Sequence, residues 1–183
     1  HGGKTGQELE AVVKNKNVNL QNNKRLTREE VADLFAEDIG VWSITKKTIN
    51  GEASEANEVI MEINWSVVGK TIVGKFSPII NGKIVPFIGY KEYDADEGVF
   101  LWKAKGEGFP ETISREVYDQ TTKTYNGVCF LPDGAKETTE VEILGKNKRL
   151  FKSQVNMNGI IVYSQESVFT RLKTAEELKA EGK

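Results

Sequence analysis

Glu58-Val59-Ile60-Met61-Glu62-Ile63-Asn64-Trp65-Ser66 alternates along its length: Val59, Met61, Ile63 and Trp65 fall on one face, Glu58, Glu62 and Asn64 on the other. A period of two marks a strand with one buried face, whereas a helix repeats its apolar positions every three or four residues. The same texture extends in both directions, cut into short pieces by turn residues. Reading the alternating stretch as the strand Ala53–Ser66, the piece before it is Val41–Ile49, closed by Asn50-Gly51, a dipeptide suited to the type I′ turn that matches strand twist. Beyond it, Asn81-Gly82 divides Lys70–Ser77 from Lys83–Asp94, and Asp94–Gly98 turns into Val99–Lys105. The loop Gly106–Pro110 precedes Thr112–Tyr118; Thr124–Leu131, Ala135–Leu144, Lys148–Asn156 and Ile160–Leu172 complete the series. From Gly40 to Leu172 this makes about ten strands with no helical stretch between them. Such a series stacks as two sheets or rolls into one, and the spacing predicts an all-β, antiparallel, up-and-down barrel.

Both ends of the series carry helix signals. Thr27 and Glu30 have capping-box spacing, Val31, Leu34 and Phe35 share a face, and Gly40 ends the pattern, which predicts a helix over about residues 28–38. Its apolar stripe needs a surface, either one mouth of the barrel or the seam beside the first strand. Thr174 and Glu177 form a second box, predicting a short helix over Ala175–Ala180 in a tail of residues 174–183. The polar run Asn15–Lys24 reads as part of a flexible arm over residues 1–25, leaving 26–173 as the barrel domain.

Composition narrows the function. The 183 residues, 38% hydrophobic and 28% charged, describe an ordinary soluble globular domain. A net charge of −2, with basic residues scattered among acidic ones, gives no basic stripe for nucleic acid. No apolar run nears the ~18 residues of a membrane-spanning helix. The polar arm and a first residue other than Met suggest an exported protein, periplasmic or secreted.

Gly40-Val41-Trp42 after a short helix resembles the G-x-W signature of lipocalins and related calycin barrels, and Arg171 closes the last strand as an arginine does in that superfamily. Trp65 with Gly69, Gly89-Tyr90, Phe100-Leu101-Trp102 and Phe169-Thr170-Arg171 are similar to the landmarks of a bacterial lipocalin-like group whose function is not established. The resemblance covers about residues 34–172. It implies a cup-shaped cavity for a small, mostly apolar molecule, with Arg171 lying on Trp42 to tie the first strand to the last.

Little in the chain points to covalent chemistry. His1 is the only histidine, which leaves no internal axial ligand for haem, no paired histidines for copper and no histidine-dependent triad, so neither a cofactor nor a metal is expected. Asp94-Ala95-Asp96-Glu97-Gly98 lacks the glycine position and terminal glutamate of a calcium loop and reads as a solvated turn. Glu107 and Glu111 read as surface carboxylates, and the glycines at 69, 74, 82, 106 and 108 as turn or bend residues rather than a phosphate cradle. Cys129, in Gly127-Val128-Cys129-Phe130-Leu131, reads as a buried structural thiol.

The aromatic side chains carry the functional argument. Trp65, Phe87, Tyr90, Trp102, Phe109, Tyr118 and Tyr163 are distributed over successive strands and loops, and in a barrel they either converge on a ligand or fill a core. Arg115 shares a phase with Ile113 and Val117, and Gln165 follows Tyr163 by two. Turned inward, Arg115 would need a partner or an anionic ligand group; turned outward, it is an ordinary surface residue. The expected function is binding of a small hydrophobic or amphipathic molecule without chemistry, with Trp65, Tyr90 and Trp102 as walls, Arg115, Tyr163 and Gln165 as polar contacts, and Trp42 and Arg171 as closure. Two alternatives stand beside it: a barrel enzyme of isomerase or hydrolase type, which needs an inward Tyr or carboxylate, and a structural or protein-interaction module with a filled barrel.

Overall fold

The computed structural model describes residues 25–54, 60–80 and 82–182, so the arm expected over residues 1–25 lies, Arg25 apart, outside it. The described chain runs α1 (Arg28–Asp38), β1 (Gly40–Ile49), β2 (Glu52–Ser54), β3 (Ile60–Val67), β4 (Thr71–Phe76), β5 (Ile79–Ile80), β6 (Lys83–Ile84), β7 (Phe87–Asp94), β8 (Val99–Gly106), β9 (Thr112–Asp119), β10 (Thr124–Phe130), β11 (Lys136–Gly145), β12 (Lys148–Met157), β13 (Ile160–Lys173) and α2 (Ala175–Ala180). Ten strands close a ring in the order β1-β3-β4-β7-β8-β9-β10-β11-β12-β13, antiparallel throughout, with β13 returning to β1. Closure leaves no free sheet edge around the ring.

Turn chemistry sets most connections. Asn50 and Gly51 take φ of 50° and 85°, and Asn158 and Gly159 take 52° and 85°, so both Asn-Gly pairs sit in the left-handed region a type I′ turn requires. Asn81 of the expected turn lies outside the described residues. Residues 79–84 carry β5 and β6, which form a separate two-stranded ribbon outside the barrel. Pro78 and Pro86 bound this ribbon, and the Val85 amide donates to the Pro78 carbonyl at 2.9 Å. Proline has no N–H for a ladder, so the single strand expected over Lys83–Asp94 breaks into β6 and β7. The expected Ala53–Ser66 strand is likewise two pieces, β2 and β3. Both pair with β1, β2 along Lys47–Ile49 and β3 along Gly40–Ser43, and residues 55–59 between them lie outside the described residues.

One end of the barrel is sealed by α1. Thr27 Oγ1 accepts from the Glu30 amide at 3.2 Å, while Glu30 Oε2 accepts from the Thr27 amide at 2.8 Å, so two free donors of the first turn are satisfied. The helix buries Val31 and Phe35 in a cluster with Ile63, Ile72, Phe100 and Tyr125. Phe35 is fully buried and packs edge-on against Phe100, with ring centroids 5.6 Å apart. Burying such a ring contributes about 2–3 kcal/mol, which fixes the helix across the mouth rather than along the seam.

Behind the helix, the ring closes around Trp42. Arg171 and Arg149 lie with guanidinium carbons 4.5 and 4.9 Å from the Trp42 ring centroid, and the Trp42 indole N–H donates to the Asp38 carbonyl at 2.9 Å. Arg171 also donates to the carbonyls of Ile39, Glu37 and Lys146, binding the end of α1 and the β11–β12 turn to the last strand. Gly40 is required at this seam: its φ is +145°, and a Cβ there would lie 2.4 Å from the Lys173 carbonyl oxygen. The G-x-W segment is thus a close backbone crossing followed by a ring clamped under two cations.

Candidate functional site

Cross-strand partners share a face, so the registers define the barrel interior. Inward positions are Met61, Ile63 and Trp65 on β3; Ile72, Gly74 and Phe76 on β4; Phe87, Gly89, Lys91 and Tyr93 on β7; and Phe100, Trp102, Ala104 and Gly106 on β8. On the other half of the ring they are Ser114, Glu116 and Tyr118; Tyr125, Gly127 and Cys129; Glu137, Thr139 and Val141; Phe151, Ser153 and Val155; and Tyr163, Gln165 and Ser167.

The half nearest α1 is a floor of interlocked rings. Tyr93 and Tyr125 flank Phe100 at 4.9 and 5.4 Å, Tyr118 sits 4.8 Å from Tyr125, and Trp65 is edge-on to Phe35 at 6.3 Å. Burial pushes the Tyr125 hydroxyl well above its usual range, with the charge of Asp38 adding to it; Tyr118 is raised by burial and then by Glu37. Lys91 and Glu116 form a buried ion pair at 2.7 Å above this floor. Glu116 Oε2 has no hydrogen-bond partner among the described residues, so the contact is counted as an ion pair. The Lys91 ammonium also stands 4.0 Å from the Tyr125 centroid and 5.1 Å from Phe100. Two aromatic faces and a carboxylate together offset the cost of taking that cation out of water.

The half farther from α1 is built differently, and its two sides differ again. Over β4 and β7 the Trp102 indole lies along the wall. A Cβ on Gly74 would meet its Cη2 at 2.7 Å, and one on Gly89 would meet Cζ2 at 2.5 Å, so the two paired glycines form the recess that receives the ring. Nearer the rim, Phe87 stacks on Phe76 at 5.3 Å and leans on Phe109 at 5.6 Å. A solvent-open notch of about 620 Å³ straddles this rim, with Phe76 and Phe87 on its inner side and Lys75, Ile88 and Lys105 on its outer side.

On the opposite side, small and polar residues line the wall. The Ser153 hydroxyl donates to Glu137 Oε1 at 2.8 Å, the Tyr163 hydroxyl donates to Gln165 Oε1 at 2.7 Å, and Gln165 Nε2 donates to Ser167 Oγ at 2.7 Å. Burial and then the nearby Glu137 charge raise both the Tyr163 hydroxyl and the Cys129 thiol above their ordinary values. Glu137, Thr139, Phe151, Val155, Tyr163 and Gln165 all face inward yet are only half-buried, in contrast to the fully buried Phe100.

Of the six residues expected to contact a ligand, Trp65, Trp102, Tyr163 and Gln165 face the interior, although Trp65 belongs to the floor. Tyr90 and Arg115 do not. Tyr90 is on the outward phase of β7 and is 44% exposed. Arg115 is likewise outward, paired with Glu97 of the β7–β8 turn in a half-exposed ion pair. The turn itself is held by Asp94 Oδ1, which accepts from the Asp96 and Glu97 amides at 3.0 and 3.1 Å. Lys91, Glu116, Glu137 and Ser153 are among the interior polar residues that the sequence reading passed over.

No protein-family model and no curated protein matches the chain. Among solved structures, it is similar to the S-type phycobiliprotein lyase CPES from Guillardia theta, with a TM-score of 0.55, 13% identity, and 79% of this chain and 93% of that chain covered. A redesigned β-barrel, b11L5F_LGL, is also matched, with a TM-score of 0.41, 12% identity, and coverage of 81% and 98%. The likeness to the lyase is one of fold.

Proposed function

We propose that the protein is a lipocalin-like binding barrel that holds a small amphipathic molecule in the half of its interior remote from α1. The observation that carries this reading is the residual exposure of the inward Glu137, Thr139, Phe151, Val155, Tyr163 and Gln165 on β11, β12 and β13, facing a wall where Gly74, Gly89 and Gly106 are covered by the Trp102 and Phe87 rings. A packed barrel would seal those positions. Apolar walls with a few orienting polar groups are the usual make-up of a small-molecule site. The likeness to a barrel named a phycobiliprotein lyase agrees with a ligand-holding role and adds nothing about which ligand.

The enzyme alternative draws on one specific observation, the inward Glu137. Its neighbours give it little to work with: Tyr163 is committed to Gln165 and is raised by burial, which makes it a poor proton acceptor at neutral pH. Binding without chemistry therefore accounts for more of the wall.

Titration with Nile red, a neutral apolar dye, tests the reading. Saturable one-to-one binding with a blue-shifted emission is expected, weakened at least tenfold in Thr139→Trp, which fills the lumen opposite Trp102. An absence of saturable binding to the wild-type chain overturns it.

A further inference from the structure

The charges that face the lumen are few and unequal in their partners. Lys91 and Glu116 neutralise each other above the floor. Arg149 and Arg171 lie on Trp42 at the sealed end, and Arg149 also faces Asp38 at 3.5 Å. Lys47, opposite Ser167 on the seam, is itself engaged. Glu137 differs from all of them. Among the described residues its polar partner is the Ser153 hydroxyl, and no cation pairs with it. A hydroxyl satisfies part of a carboxylate, which has about four lone-pair sites across two oxygens.

Position makes this carboxylate useful. In a ring of ten, β11 and β12 stand five places from β4 and β7, so Glu137 and Ser153 lie across the lumen from the Trp102 indole. Ring by ring toward the rim, that opposite wall continues apolar through Phe76 and Phe87. The effect of the Glu137 charge on its surroundings is visible in Tyr163 and Cys129, both raised by burial and then by that charge. A ligand anion placed beside it would meet repulsion, while a cationic group would complete the pairing.

We infer that the cup selects amphipathic amines: a protonated amino group pairs with Glu137 beside Ser153, and the apolar body lies against Trp102, Phe76 and Phe87. This rests on the reading of the lumen as a binding site and adds the sign of the ligand's charge. It reverses the anionic group that an inward Arg115 would have accommodated.

Two fluorescent probes of equal length and opposite charge provide the test: dansylcadaverine, which ends in an ammonium, and dansyl-6-aminohexanoate, which ends in a carboxylate. The amine is expected to bind the wild-type chain at least tenfold more tightly than the acid. Glu137→Gln should bring the two within about twofold, by weakening the amine and not the acid. Ser153→Ala, which leaves the carboxylate in place, should retain the preference. Equal or tighter binding of the acid to the wild-type chain overturns the inference while leaving the lumen a binding site. If neither probe nor Nile red binds, the inference and the reading beneath it both fall. Because the preference is measured first on the unaltered protein, a Glu137→Gln chain that failed to fold would leave the decisive comparison intact.

Discussion

The sealed and open halves of this barrel are made from the same ten strands, yet they solve opposite packing problems. Toward α1, inward positions carry Trp65, Phe100, Tyr118 and Tyr125, whose rings interlock with Phe35 of the helix. Toward the rim, the same strands carry Gly74, Gly89, Gly106, Gly127, Ser114 and Ser153, and the large rings on the glycine side, Trp102 and Phe87, cover those glycines. The cluster of buried apolar side chains therefore lies at the α1 end, and the glycines and small polar residues lie toward the rim. Strand pairing supplies the wall everywhere, whereas the apolar core comes chiefly from one end. Under the proposed reading, stability and recognition fall to different stretches of the same strands.

That division can be broken by substitution at either end. Phe35→Ala should cost about 3–5 kcal/mol in urea denaturation, because it opens a cavity in a ring cluster with no route to collapse. Ser153→Ala, at the open end, should cost roughly 1 kcal/mol, the worth of one hydrogen bond to a carboxylate that water can reach. Comparable losses at the two sites would mean that the open half is core as well. Arg171→Ala should fall between them, at roughly 1–3 kcal/mol, since it removes the stacking on Trp42 and three bonds to backbone carbonyls. Its Nile red affinity should stay within twofold of wild type, because the seam lies at the sealed end. A parallel loss of affinity would connect the two halves that the account separates.

The smallest effect is kinetic. Burial holds the Cys129 thiol above its ordinary value, so less thiolate is present at pH 8 than in a free thiol. Alkylation by iodoacetamide should be about tenfold slower than that of free cysteine and should keep rising above pH 9, and bound Nile red should slow it further. Reaction at the free-thiol rate would place Cys129 outside the wall.

Much of the barrel was legible because its strands announce themselves twice, by alternation and by the turns between them. The helix over 28–38, both capping boxes and the Asn-Gly hairpins at 50–51 and 158–159 follow from local chemistry alone. The expected strand Lys83–Asp94 misled because the short ribbon of β5 and β6 precedes β7, and only Pro78 and Pro86 mark the difference. The site was harder to read where a strand is apolar on both faces. In β7, Phe87 and Tyr93 share one phase and Ile88 and Tyr90 the other, so nothing local says that Tyr90 faces out. On β9 the inward phase, Ser114-Glu116-Tyr118, is the more polar one, because Lys91 on a neighbouring part of the wall neutralises Glu116. Glu137 did leave a signal: Val141 and Ile143 set the phase of β11, and extending it backward by twos reaches Thr139 and Glu137.

Mapping amide chemical shifts on adding Nile red tests the central claim most directly. The account predicts changes concentrated at Gly74, Gly89, Trp102, Glu137, Thr139, Ser153 and Gln165, with Ile63, Phe100 and Trp42 unmoved. Shifts confined to the outer face at Ile88, Tyr90 and Ile113 would contradict it, because the dye would then be bound outside a barrel whose interior admits nothing.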